Sequence, residues 1–230
     1  MNNLKKVGLT ALGTALISST ASVAGDMSVT GSAIITYTGK DNNASGNGWS
    51  MSDTMSFSGS GELDNGWTVS YSHAIDNGTN DANSITIDMG DMGTLAFEGL
   101  GGSGPVEEND DVMPTANEES WATVAGTVSG LADGSEGNNN FTYTLPELVE
   151  GLTIKAFHQP ADAAQGSSEE YLVTYTGIEN LTLGYAGGEN EDTLTNTIDN
   201  TNLWAKYTMD SFTFGIQKNE EDEQTASADT

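Results

Sequence analysis

The sequence predicts an all-β chain, a transmembrane antiparallel up-and-down β-barrel. Three observations predict it. Apolar residues recur at every second position in about eleven separate segments. The connections between those segments are alternately short and long, and a secretory leader at the N-terminus is followed by no apolar run long enough for a membrane helix.

The leader comes first. Lys5 and Lys6 form a basic start, Val7 to Ile17 an apolar run, and Ser22-Val23-Ala24 a small-residue cleavage site before Gly25. Residues 1–24 are therefore expected to be a signal peptide cleaved near Ala24, and residues 25–230 the barrel domain, exported past the inner membrane.

The strands follow in order. The first is expected near Val29–Tyr37 and the second near Met51–Leu63. Trp67, Val69 and Tyr71 alternate with Thr68, Ser70 and Ser72; Ile85, Ile87 and Met89 with Thr86 and Asp88; Leu95 and Phe97 with Ala96 and Glu98. The scheme repeats at Phe141/Tyr143/Leu145, Leu152/Ile154/Ala156, Tyr171/Val173/Tyr175, Leu181/Leu183/Tyr185, Leu203/Ala205/Tyr207 and Phe212/Phe214/Ile216. Period two means two unlike faces.

Short turns are expected at Asp64-Asn65-Gly66, Gly90–Gly93, Pro146–Gly151, Gly177–Asn180 and around Asp210, with the Asn-Gly and Gly signatures of hairpins. Long polar loops are expected at Gly39–Gly48, Ile75–Asn83, Gly99–Asn140, Gln159–Glu170 and Gly187–Asn200. Turns at one end and loops at the other are the habit of outer-membrane barrels. Alternation by itself also suits a sandwich, whose apolar face is a packed core. The polar face here is filled by Ser, Thr and Gly, with few of the Lys/Glu pairs that coat soluble sheets, which favours a water-filled lumen.

Charge narrows the function classes. The chain holds six Lys+Arg against 34 Asp+Glu, for a formal net charge of −28, and every basic residue is a lysine. Nucleic-acid binding needs cations to neutralise phosphates, so it is excluded. With no cysteine, disulfide frameworks, thiolate zinc sites and Cys nucleophiles are excluded too. Asp88, Glu98, Lys155 and Lys206 take the parity opposite the apolar residues and are expected on a lumen-facing wall. A charge on the lipid face costs roughly 2–4 kcal/mol at mid-bilayer, and none is expected in the middle of a strand. His73 shares the apolar parity and is expected at a strand end, within an interfacial aromatic girdle.

Three stretches resemble hairpins of the Gram-negative general porins, particularly the alphaproteobacterial branch. They are Ile85-Thr86-Ile87-Asp88-Met89-Gly90-Asp91-Met92-Gly93-Thr94-Leu95-Ala96-Phe97-Glu98-Gly99, Phe141-Thr142-Tyr143-Thr144-Leu145-Pro146-Glu147-Leu148-Val149-Glu150-Gly151-Leu152-Thr153-Ile154, and Ser58-Gly59-Ser60-Gly61-Glu62-Leu63-Asp64-Asn65-Gly66. The resemblance implies a homotrimer of sixteen-stranded, water-filled barrels in outer-membrane lipid and lipopolysaccharide, passing small hydrophilic solutes and ions passively. It also implies that the third long loop, Gly99–Asn140 here, folds inward and narrows the pore. Its Glu107, Glu108, Asp110, Asp111, Glu118 and Glu119 would then form the constriction, where carboxylates favour cations; the plain alternative is a solvated outer loop. General porins commonly set arginines across from such a loop, and this chain has none. A cation-selective pore is the resulting expectation.

The tail departs from the family pattern. Single-chain bacterial barrels have even strand numbers, and Glu220–Thr230 reads as another outside loop where a final amphipathic strand ending in Phe is usual. C-terminal truncation, with roughly five strands of the sixteen missing, is the expected reason.

No catalytic constellation is present, and an enzyme is not expected. Gly99-Leu100-Gly101-Gly102-Ser103-Gly104 matches a dinucleotide fingerprint in letters, but it leads to Pro105 and acids instead of a helix. His73 and His158 lie on different strands without metal-ligand spacing. No cofactor or metal residue is assigned, although Asp76-Asn77-Gly78 and Glu220-Glu221-Asp222-Glu223 offer oxygens that could collect Ca²⁺. A secreted, acidic, calcium-binding β-sandwich or adhesin is the alternative function.

Overall fold

The computed structural model describes residues 27–37, 49–114, 135–163, 166–193 and 196–225. The signal peptide, the expected Gly39–Gly48 loop, Glu118, Glu119 and residues 226–230 lie outside them. Thirteen strands follow in order: β1 (Ser28–Tyr37), β2 (Trp49–Glu62), β3 (Thr68–Asp76), β4 (Thr79–Asp88), β5 (Thr94–Leu100), β6 (Gly102–Ser103), β7 (Glu136–Gly137), β8 (Asn140–Thr144), β9 (Leu152–Gln159), β10 (Ser168–Ile178), β11 (Leu181–Thr193), β12 (Asn196–Met209) and β13 (Phe212–Thr225). Eleven of them make one antiparallel sheet in chain order, while β6 and β7 form a separate two-residue ladder. Strand direction alternates along the sheet, so β1 and β13 run the same way. They are its two edges, and the sheet does not close on itself. No described helix is long and apolar enough to cross a membrane.

The register sorts side chains as period two demands. Ser28, Ser58, Ser72, Ser84 and Glu98 are successive cross-strand partners and share one face. Val29, Phe57 and His73 share the other. That second face is apolar and uncovered: Ile35 is 68% exposed, Met51 64%, Leu203 56% and Ile216 72%. A water-soluble sandwich would bury this face under a second sheet. The only other described ladder is the two-residue pair, so the described residues do not form a sandwich. Apolar groups outward and polar groups inward is the arrangement a lipid bilayer stabilises.

Two expected loops are strands instead. β3 continues to Asp76 and β4 begins at Thr79, so Ile75–Asn83 is a hairpin closed by Asn77 and Gly78 at φ 48° and 77°. β11 and β12 likewise extend to Thr193 and from Asn196 through the expected Gly187–Asn200 loop. Glu220–Glu223 lies inside β13 where a loop was expected. Polarity signals water, not irregular backbone, and a ladder can run beyond the membrane with both faces wet.

These extensions carry charges onto the apolar parity, contrary to expectation. Asp53, within β2, pairs with Ala33 on that face, and its backbone bonds Asn77 at the tip of the β3–β4 hairpin. Glu169, Glu189, Asp199 and Asp222 form one cross-strand row on β10–β13. These belong to the loop end of the sheet, where a charge remains in water; Lys218, opposite Leu203 and ion-paired with Glu220, takes the same face in the middle of β13. His73 is also interior to β3 rather than at its end, with ring centroids 6.3 Å from Phe57 and 6.5 Å from Tyr71.

Candidate functional site

The connection from β5 to β8 turns back onto the polar face of the sheet. Gly101, at φ 71°, makes the turn. Gly102 and Gly104 then pass so close to the wall that a Cβ on the first would collide with Asn140 and Glu98, and on the second with the Glu170 carboxylate. Close backbone approach is thus what the glycine-rich stretch achieves, in place of the phosphate cradle its letters mimic. The outgoing and returning legs are joined by the β6–β7 ladder and by the Gly104 N–H, which donates to the Ser135 carbonyl at 2.7 Å.

A patch on β9–β13 receives the segment. Val106 is fully buried and clusters with Leu172 and Ala186; Phe157 and Trp204 are also buried. Around them the wall supplies donors to backbone carbonyls that leave the sheet. Asn202 Nδ2 donates to Val106 O at 2.7 Å. Gln217 Nε2 donates to Asn109 O and Asp110 O at 2.8 and 2.7 Å, and Asn219 Nδ2 donates to Asp110 O at 2.7 Å. Glu170 accepts on both carboxylate oxygens, from Val106 N–H at 2.8 Å and Ser135 N–H at 2.6 Å. The Ser135 hydroxyl donates to Gln159.

None of these wall residues was singled out from the sequence. The signal was nevertheless there: Phe157, Leu172 and Trp204 are large apolar residues on the polar parity. Where the segment covers the face these three are buried, whereas Ile34, on the same parity of β1, is 59% exposed.

The expected site residues divide. Glu107 and Glu108 lie in a 3-10 turn over Glu107–Asn109, within the docked segment. Glu108 Oε2 is 3.1 Å from Lys155 Nζ, an ion pair bridging segment and wall. Asp110 is anchored through its carbonyl, and Asp111 is exposed. Glu98 shares the wall face beside Gly102. Lys206 shares it as well, its Nζ 5.2 Å from the centroid of the Trp204 ring. Asp88 stands apart. It pairs with Thr94, four residues from Glu98 and thus about 13 Å along the strand, and its Oδ1 accepts the Gly90 N–H at 2.9 Å to cap a turn.

The other half of the sheet is different. On β1–β4 the same face presents Ser28, Ser56, Ser58, Ser70, Ser72, Ser84 and Thr86. Ser28 and Ser58 hydroxyls bond at 2.6 Å, and a shallow cavity of about 350 Å³ lies over this field. Among the described residues, no group of three or more His, Asp or Glu side chains is gathered to hold a metal ion. Asp76-Asn77-Gly78 is the hairpin turn, and His158 faces Glu169 on the outer face at 3.6 Å.

Comparison with known proteins completes the description. No curated protein matches the chain. Among solved structures it is similar to a triple mutant of Rhodopseudomonas blastica porin, at 11% identity with 85% of each chain covered and a TM-score of 0.45. A further mutant of that porin is similar at 12% identity, with 89% of this chain and 86% of the other covered and a TM-score of 0.45. The family model for Gram-negative porins matches residues 8–230. The chain belongs to the Gram-negative porin family.

Proposed function

We propose that this outer-membrane channel is cation-preferring, passing small hydrophilic solutes and ions along the polar face of its sheet past the segment that leaves β5. One observation carries the reading: the docked segment brings Glu107, Glu108 and Asp111 to a wall whose nearest described lysine, Lys155, is already paired with Glu108. Across the β1–β4 part of that face lie uncharged hydroxyls, and Lys206 lies over the Trp204 ring on β12. A carboxylate-lined passage without a facing cationic wall concentrates cations and repels anions. Reversal potentials in a salt gradient across a planar bilayer test this. Potassium preference is expected, and chloride preference would refute it.

Three further features follow from the same reading. The leader is cleaved near Ala24, which N-terminal sequencing of the mature protein checks. The channel works as a homotrimer, seen as a slow band on gels that collapses on heating. Its acidic outer rim meets lipopolysaccharide through divalent cations such as Ca²⁺, so chelation should loosen that contact.

A further inference from the structure

We propose that Glu170 is a latch that holds both legs of the inserted segment on the wall, and that it holds only while its carboxylate is ionised. The inference rests on the reading above, in which that segment narrows the passage.

Glu170 is 3% exposed and sits under the point where the legs come together. One oxygen accepts from the outgoing leg at Val106 and the other from the returning leg at Ser135. The legs are in turn bonded to each other through Gly104 and Ser135. An ionised carboxylate has two acceptor oxygens, whereas a protonated one turns an oxygen into a donor. Facing two N–H groups, the acid form can satisfy only one and sets its own O–H against the other. A buried donor without an acceptor is unfavourable, so protonation releases one leg and, through the leg-to-leg bond, loosens its partner.

The ionised form is held by the two backbone dipoles rather than by a cation, since Lys155 is engaged by Glu108. The other described titratable groups on the same face of the elements around it are Glu98 on β5, Glu107, Glu108 and Asp110 on the segment, Lys155 on β9, Lys206 on β12, and Glu221 on β13 in the same cross-strand row. With carboxylates predominating, acid also removes repulsion between segment and wall. That effect tightens docking, opposite in sign to the latch, so the two are separable.

The test is single-channel recording of the full protein between neutral and acid pH, for wild type, Glu170→Gln, Glu170→Asp and Gly104→Ala. Wild type is expected to gain open-channel current noise and conductance as pH falls. Glu170→Gln, which presents one acceptor and one donor group, should show that acid behaviour already at neutral pH and lose the acid response. Glu170→Asp should recover part of the response. Gly104→Ala displaces the carboxylate from within the segment and leaves every strand of the main sheet unaltered, so it should raise noise even if the Gln variant assembles poorly. Conducting channels in which the Gln and Ala variants keep wild-type noise and pH profile would overturn the latch. A protein that carries no current in any form would instead overturn the channel reading beneath it.

Discussion

Along β1–β4 the polar face is a field of serine and threonine hydroxyls, while along β9–β13 the same face carries Phe157, Glu170, Leu172, Asn202, Trp204 and Gln217. Both halves are made of alternating antiparallel strands, and both carry a largely apolar outer face. The difference lies in what each face requires. Hydroxyls rotate to suit water and need no protein partner. Large apolar groups and a buried carboxylate whose two oxygens both accept backbone N–H groups do need one, and the long segment supplies it. The position of the docked segment is therefore a property of wall chemistry as much as of the segment itself.

Substitutions that weaken one half and spare the other should expose the difference. The largest effect is expected from Leu172→Ala, which removes a contact of the buried Val106 from the only described apolar cluster. About 2–4 kcal/mol of segment docking should be lost, read as higher conductance and noise, whereas Ser70→Ala on the hydroxyl half should change neither. Next, Ser58→Arg with Ser72→Arg would give the hydroxyl half the cationic wall it lacks. Roughly a tenfold fall in the cation-to-anion permeability ratio is expected, and an unchanged reversal potential would show that this half does not face the ion path.

Smaller effects come from single charges. Lys155→Gln frees Glu108 from a partly exposed pair, which costs under about 1 kcal/mol of docking and should move the reversal potential further toward potassium. Smallest is Glu189→Gln, in the row Glu169, Glu189, Asp199 and Asp222. Like charges directly across strands are unfavourable by a few tenths to about 1 kcal/mol. The variant should raise the temperature at which the folded gel band is lost, most visibly in low salt where screening is weak.

Much of the fold was legible in the residues. Eleven segments with period two became the eleven strands of the sheet, and tight turns such as Asn65-Gly66 fall where their chemistry places them. Strand ends were not legible at the outer rim. Glu220–Glu223 and Gly187–Asn200 have the composition of loops, yet they extend ladders, because backbone pairing does not depend on an apolar face once both faces are in water. The acidic segment was legible as acids at Glu107, Glu108, Asp110 and Asp111, but its attachment was not. Asp88, chosen by parity alone, shares the face of Glu98 but stands apart from the docked segment along the strand, because parity fixes direction and says nothing of distance.

What the sequence determined by itself was the alternation, the turn chemistry and the want of arginine, all of which are local or compositional. Only the tertiary structure decided which carboxylates meet the wall. Glu170 and Val106 are 64 residues apart, and Gln217 and Asn109 are 108 apart. Contacts at such separations depend on the registers of five neighbouring strands at once, and no window of neighbouring residues contains them.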